Sequence, residues 1–397
     1  MYIPRSIEPK IREWLFKGKI IVIYGARQTG KSTVVRKALS DFSSESTYLN
    51  GDESGTKRLF AEAEDASTLG HIVGNHKIVV IDEAQRIENI GLKLKILIDT
   101  FPDRQIIATG SSSFDLANKI AEPLTGRTVQ FTLYPLSLEE LTLAWGQTEL
   151  LVQLPNLLIY GSYPAVVTAS SLEEKTVLLK QLATDYLYKD VLSFDRVKKS
   201  EVLKKLTEAV ALQTGNELSY NELSNMLQIG KQTAINYLDI LEQGFILFRL
   251  TSYSRNLRQE INRSRKLYAL DNGIRNVLMN NLNPLSLRTD VGVLWESFIV
   301  SEFKKQQFWM ANTAPLYFWR TYSQEEVDVV KDVGGTLFAY EIKWKKPKLR
   351  PPKNWIASYP TSKWRSITRD NFLDVFITGK DFSFQSLYYD NSNKQLF

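Results

Sequence analysis

The sequence predicts an α/β protein of several domains, opening on a parallel sheet and closing on a smaller α/β unit. Three observations carry that prediction. Short β-branched runs alternate with helical patterns over residues 1–140, as strands and helices do in a parallel α/β layer. The first of these runs leads directly into a glycine-rich loop. Near the far end, an amphipathic helix pattern precedes three strand-like runs, the last two of which carry an Asp and a Glu-x-Lys.

Residues 7–18 open the chain with Ile7, Ile11, Trp14 and Leu15 on one helical face. "KIIVIYG" (Lys19–Gly25) is a near-continuous apolar run, as a strand buried on both faces requires. "KSTVVRKALSDF" then reads as a helix, and "STYLNGDE", "HKIVVIDEA" and "RQIIATGSSS" as three further strands. After "VQFTLYPLSLEEL" the chain becomes Leu-rich and helical over residues 141–200. Residues 201–255 read as helix, short turn at Ile229-Gly230, second helix and strand pair, a pattern that resembles a winged helix-turn-helix. Residues 256–397 hold a basic linker, the helix "LWESFIVSEFKKQ", and the strands "PLYFWRTY", "EEVDVVKD" and "TLFAYEIKW".

Composition removes several chemistries. The chain of 397 residues has no Cys, which excludes disulfides, thiolate zinc sites and Cys nucleophiles. With only two His, a His-based metal centre or triad is not expected, so any chemistry falls to carboxylates, Lys, Arg and hydroxyls. No window approaches the run of about eighteen apolar residues that spans a bilayer. The charged N-terminus lacks the apolar core of a signal peptide, so a cytoplasmic protein with no membrane partner is expected. The net charge of +6 is concentrated: Arg249–Arg275 holds seven basic and two acidic residues, and Lys343–Lys353 six basic and no acidic ones. Such clusters suit phosphates, and DNA is the partner they suggest, although a solvated face would look the same.

"GARQTGKS" (Gly25–Ser32) fits G-x-x-x-x-G-K-[ST] between a strand and a helix pattern, the context of a P-loop. Gly25, Ala26, Arg27, Gln28, Thr29 and Gly30 would curl backbone N–H groups around a β-phosphate, at a helix N-terminus that favours anions. Lys31 would bridge the β- and γ-phosphates of ATP, the Ser32 hydroxyl would hold Mg²⁺, and Thr33 would lie near the α-phosphate. "IVVIDEAQ" ends a strand on Asp82, placed to bind Mg²⁺ through water, and Glu83, placed to polarise the attacking water. Thr109 and Ser111, after the next strand, are both placed to sense the γ-phosphate, and the pattern does not choose between them. Arg127 could stabilise charge on the transferring phosphoryl group, in cis or across a homo-oligomer interface; a structural salt bridge is its other reading.

"YIPRSI", "GARQTGKS", "VVIDEAQ", "TGSSS", "LTGR" and "GSYPAVV" together resemble the bacterial and archaeal AAA-type ATPases of the archaeal-ATPase group. The resemblance covers nearly the full length. It implies an ATP-binding core of the RecA/AAA class with a catalytic Glu, followed by a C-terminal domain described as nuclease-like. "TDYLYKDVLSFDRV" also resembles a segment of these proteins; Asp190 and Arg196 in it could couple domains, while Tyr186, Leu187 and Val191 make an ordinary packing face.

In the helix-turn-helix pattern, Gln232, Thr233, Asn236 and Tyr237 would fall where a reading helix meets base edges, yet Asp239 and Glu242 follow. The run "RNLRQEINRSRK" is better suited to phosphate. Further on, Asp328, Glu341 and Lys343 resemble the core of PD-(D/E)xK nucleases. Glu341 and Lys343 share a strand face by the period of two, and the flanking Ile342 and Trp344 point to the core. Glu296 on the preceding helix would complete a Mg²⁺ site with Asp328 and Glu341, with Glu302 as the other choice; Lys343 would position or deprotonate the nucleophile. The expected function is a Mg²⁺-dependent ATPase coupled to a nuclease-like domain. The alternative is an ATP-dependent switch whose C-terminal domain docks on DNA or protein without cleaving.

Overall fold

The computed structural model describes residues 2–110, 123–185, 200–254, 264–307, 314–321, 323–346, 348 and 350–378. Ser111, Asp190, Arg196 and most of the run from Arg255 lie outside the described residues. The chain divides into two units.

The first unit comprises Met1–Leu136, Tyr163–Ser200 and Asn236–Ile246. Its sheet holds five parallel strands in the order β2-β3-β4-β1-β5: β1 (Ile20–Tyr24), β2 (Ser46–Asn50), β3 (Ile78–Asp82), β4 (Gln105–Gly110) and β5 (Thr128–Thr132). β1 and β4 are buried throughout, which is why β1 reads as a continuous apolar run rather than an alternating one. Ile20, Val22, Val79 and Ile81 share one core with Phe60, Leu69, Leu94 and Leu97 from the covering helices. Full burial of such side chains is worth about 1.5–3 kcal/mol each. Because β1, β4 and β3 run parallel, the loops after β1 and β3 open at the same carboxyl edge of the sheet, where α/β folds bind ligands.

The second unit comprises Ser137–Ser162, Glu201–Ile235 and Leu247–Phe397. Its sheet has the order β11-β10-β9-β8-β6-β7: β6 (Leu247–Ser252), β7 (Arg265–Ala269), β8 (Leu316–Arg320), β9 (Glu326–Val333), β10 (Thr336–Ile342) and β11 (Lys363–Ile367). β9 and β10 form an antiparallel hairpin, closed by Gly334 and Gly335 at φ 59° and 86°, where an L side chain is strained. The helix Val291–Gln306 buries Leu294, Trp295, Phe298, Ile299 and Phe303.

Two findings differ from the expected layout. The strand pair β6–β7, expected as the wing of a separate domain, belongs to this six-stranded sheet: Thr251 and Ser252 of β6 pair with Tyr317 and Phe318 of β8. A run such as "ILFRL" needs a neighbour on each side, and β8 supplies the second. The sheet therefore crosses the boundary expected at residue 255. On the helix Lys231–Gln243, Gln232 and Asn236 are exposed, but Tyr237 is buried and takes no part in a reading face. No helix among the described residues is long and apolar enough to cross a membrane.

Candidate functional site

The P-loop takes its shape from two glycines. A Cβ on Gly25 would come within 2.3 Å of the Leu133 carbonyl oxygen, and Gly30 sits at φ 92° as the cap of the helix Lys31–Ala38. The Arg5 guanidinium, buried, donates to the Thr29 carbonyl at 2.7 Å and to the Tyr134 carbonyl at 2.6 Å. Since C=O and N–H point oppositely across a trans peptide, fixing the Thr29 oxygen also fixes the direction of the Gly30 N–H. The Thr29 hydroxyl donates to Ala26 O at 2.8 Å. Lys31 Nζ donates to the Gly25 and Ala26 carbonyls, at 3.0 Å each. Arg27 is half-buried, Gln28 is exposed at φ 58°, and Thr33 is exposed.

Across the sheet edge the Ser32 hydroxyl donates to Asp82 Oδ2 at 2.5 Å. The Thr109 hydroxyl, buried, donates to the other Asp82 oxygen and accepts the Glu83 N–H at 3.4 Å. Thr109 therefore holds the β3 carboxylate. Glu83 occupies the left-handed region at φ 49°, and Gln85 Nε2 donates to its Oε2 at 2.6 Å. Gln85 and Arg5 had no assigned part in the sequence reading, although both lie inside the motifs "VVIDEAQ" and "YIPRSI". A cavity of about 180 Å³ adjoins the loop, lined by Tyr2, Ile3, Arg5, Gly30, Thr33 and Pro164. A hydroxyl and a carboxylate in contact, beside a buried ammonium, fit a nucleotide with its Mg²⁺, for which Ser32 and Asp82 would be the oxygen donors.

Arg127 is not brought to this site. Its carbonyl accepts the N–H of Ile20, where β1 begins, at 2.8 Å, so it lies at the amino end of a strand whose carboxyl end feeds the P-loop. Its guanidinium meets Asp99 at 2.7 and 3.1 Å on the surface, which lowers the Asp99 carboxyl below its ordinary value.

In the second unit, Asp328 and Glu341 are each 4% exposed. Asp328 Oδ2 accepts the Ile342 N–H at 2.7 Å. Lys343 Nζ lies 2.9 Å from Glu341 Oε1 and 3.7 Å from Asp328 Oδ2, and Lys348 Nζ lies 3.3 Å from Glu341 Oε1. Opposite Asp328 the β8–β9 register shifts: Tyr317 faces Val330 and Trp319 faces Val327, two steps on β8 against three on β9. Val327 and Val330 thus enter the same apolar cluster, and the extra residue re-aims the chain where Asp328 sits. Strict alternation on β9 could not have shown this.

Glu296 adjoins the same carboxylates. Tyr268 donates to it at 2.7 Å and Lys266 Nζ lies 3.6 Å away, while Lys266 also pairs with Glu326. Burial, then the charge of Asp328, raises the Glu296 carboxyl to about 7; the same two causes raise Glu341. Burial works against the Lys343 ammonium, but Asp328 and Glu341 outweigh it and raise its pKa. Glu302, the other choice, is fully engaged elsewhere in the unit. It pairs with Lys305 at 2.6 Å and accepts the Leu138 N–H at 2.8 Å, and Lys305 donates to Ser162 at 3.0 Å. Among the described residues no three carboxylates or imidazoles converge closely enough to share a metal ion. Glu296, Asp328 and Glu341 are interleaved with Lys266 and Lys343 instead. Glu341 Oε2, however, is buried with no hydrogen-bond partner, an oxygen that fits a hard divalent cation beside Asp328.

Comparison with known proteins divides the chain differently from the two compact units. Residues 17–142 match the AAA domain family, and residues 151–285 and 291–368 match two domains of unknown function, DUF8612 and DUF4143. An uncharacterized protein of Mycobacterium bovis is 26% identical over 343 residues, 85% of this chain and 73% of that protein. An uncharacterized protein of Methanocaldococcus jannaschii is 26% identical over 324 residues, 77% of this chain and 70% of its own length. Among solved structures, a Walker-type ATPase of Pyrococcus abyssi aligns with a TM-score of 0.49 at 16% identity, over 70% of this chain and 96% of its own. The family match over the sheet, together with the Ser32–Asp82 contact at the end of β3, makes residues 17–142 an ATPase-like P-loop domain similar to the AAA domain family.

Proposed function

We propose that the protein is a Mg²⁺-dependent ATP hydrolase whose C-terminal unit acts on nucleic acid at the Asp328–Glu341–Lys343 centre. The hydroxyl–carboxylate contact between Ser32 and Asp82, fifty residues apart in sequence, carries the first half. Lys31 would neutralise the β- and γ-phosphates, and Ser32 and Asp82 would hold Mg²⁺. Glu83 would take the proton from the water that displaces ADP, leaving inorganic phosphate. Held there, the metal would supply positive charge to neutralise the phosphates. Gln85 fixes the direction of the Glu83 carboxylate, and the cavity beside Arg5 adjoins the loop that would hold the phosphates.

For the second half, the support is a pair of buried, mutually repelling carboxylates with one unsatisfied oxygen and a lysine between them. A divalent cation at Asp328 and Glu341 would activate water and polarise a phosphodiester, with Lys343 orienting the nucleophile. One observation favours a non-cleaving reading of the same centre: Lys343 and Lys348 already neutralise Glu341 without a metal. Phosphate release from ATP, and Mg²⁺-dependent cleavage of single- and double-stranded DNA and RNA, decide between them. Lys31→Ala should abolish ATP turnover, and undiminished hydrolysis would sink the site assignment. Asp328→Ala and Lys343→Ala should abolish cleavage and leave ATP turnover intact. A wild-type chain that binds nucleic acid but never cuts it would leave the docking reading.

A further inference from the structure

Lys266 carries an ammonium into the candidate centre from β7, where its side chain is 3% exposed. Lys266 and Tyr268 stand two residues apart on one face of that strand. Both meet the same oxygen of Glu296: Tyr268 donates to Oε1 at 2.7 Å, and Lys266 Nζ lies 3.6 Å from it. The ammonium also pairs with Glu326 and lies 5.6 Å from the centre of the buried Phe318 ring. Glu326 in turn lies 3.6 Å from Arg320. An ammonium has three donors and no lone pair, so it fills a cation's place between carboxylates and cannot itself ligate one.

Lys343 and Lys348 differ from it. Their side chains are 46% and 41% exposed, so a cation entering beside Glu341 can displace them towards solvent. Glu341 Oε2 is the buried oxygen left there without a partner. Lys266 has no such exit, and moving it would leave Glu296 without its counter-charge. Centres that bind two divalent cations place them about 3.5–4 Å apart. At that spacing a second ion beside Asp328 would have to draw on Glu296, whose Oε1 is taken and whose neighbour is an ammonium.

We propose that the second unit takes a single divalent cation, held by Asp328 and Glu341, and that Lys266 bars a second by holding Glu296. Lys266 is thus a positioning residue. This rests on the reading of Asp328 and Glu341 as a cation site. Titration of the full chain with Mn²⁺, without nucleotide, tests it by calorimetry and by electron paramagnetic resonance. The double variant Asp328→Asn with Glu341→Gln gives the count for the rest of the molecule, the P-loop included, and is subtracted. The wild-type chain should then bind one ion, with the spectrum of an isolated Mn²⁺. Lys266→Met should bind two, with the line broadening of ions about 3.5–4 Å apart. Lys266→Arg, which keeps the charge, should return the count to one, which a loss of packing would not explain. Two ions in the wild-type chain, or one in a folded Lys266→Met, overturn the proposal alone. A wild-type chain that binds no more Mn²⁺ than the double variant overturns the cation-site reading with it. Should Lys266→Met fail to fold, Glu296→Gln decides. A count of one is expected, because Glu296 is no ligand while Lys266 holds it, and loss of the bound ion refutes the assignment.

Discussion

Replacing Glu296 by Gln should make the protein more stable above neutral pH, although it removes an ion pair. Burial and the neighbouring Asp328 raise this carboxyl from 4.5 to about 7, with Lys266 and the Tyr268 hydroxyl opposing the rise and Glu326 adding to it. In the unfolded chain the group returns to its ordinary value. Between the two values the folded state holds the extra proton, so stability falls as pH climbs from 4.5 towards 7 and the loss is complete above that. At about 1.36 kcal/mol per pH unit, the interval amounts to about 3 kcal/mol. Gln is neutral in both states, its carbonyl can still accept from Tyr268, and Lys266 keeps Glu326. The variant should match the parent near pH 4.5 and exceed it at pH 8, by up to about 3 kcal/mol in urea unfolding. A variant with the parent's pH slope, or one less stable at pH 8, would refute the claim that Glu296 is a carboxylate held against its own ionisation.

Gly25→Ala should lower both the melting temperature and ATP affinity, since its Cβ would come 2.3 Å from a backbone oxygen of Leu133; overpacking of this kind costs about 1–3 kcal/mol. Glu83→Gln should bind ATP and turn it over slowly. Gln85→Ala frees the Glu83 oxygen from its 2.6 Å partner, and should lower kcat about tenfold at little change in KM, seen in steady-state phosphate release. Arg127→Ala should leave turnover unchanged in dilute protein, because the residue sits at the opposite end of β1 and pairs with Asp99. A loss of turnover at high dilution would show the placement to be mistaken.

The candidate nucleotide site was legible in the sequence because its parts are local: a strand, a loop and a helix in 20–38, and a strand end at Asp82. Only their meeting had to be supplied by sheet order, and parallel α/β topology leaves few orders to choose from. What escaped notice is set by long-range pairing. Lys266 reaches Glu326 across 60 residues, and β6 finds β8 across a similar stretch, so neither the ion pair nor the sheet boundary has a local signature. The shift at Asp328 is invisible for another reason, since one extra residue on β9 leaves the apolar pattern of "VDVV" unchanged. Glu296 and Glu302 show how far helical geometry can go. Six residues apart, they stand on different sides of the helix Val291–Gln306 and can serve only one centre between them. Which one adjoins Asp328 depends on partners that no spacing reveals: Lys305 and the Leu138 N–H engage Glu302, and Tyr268 turns Glu296 towards β7. The acid with a compact, fully satisfied set of partners is structural. Burial raises both carboxyls, so the distinction lies in their neighbours: Glu296 is the acid that feels the charge of Asp328.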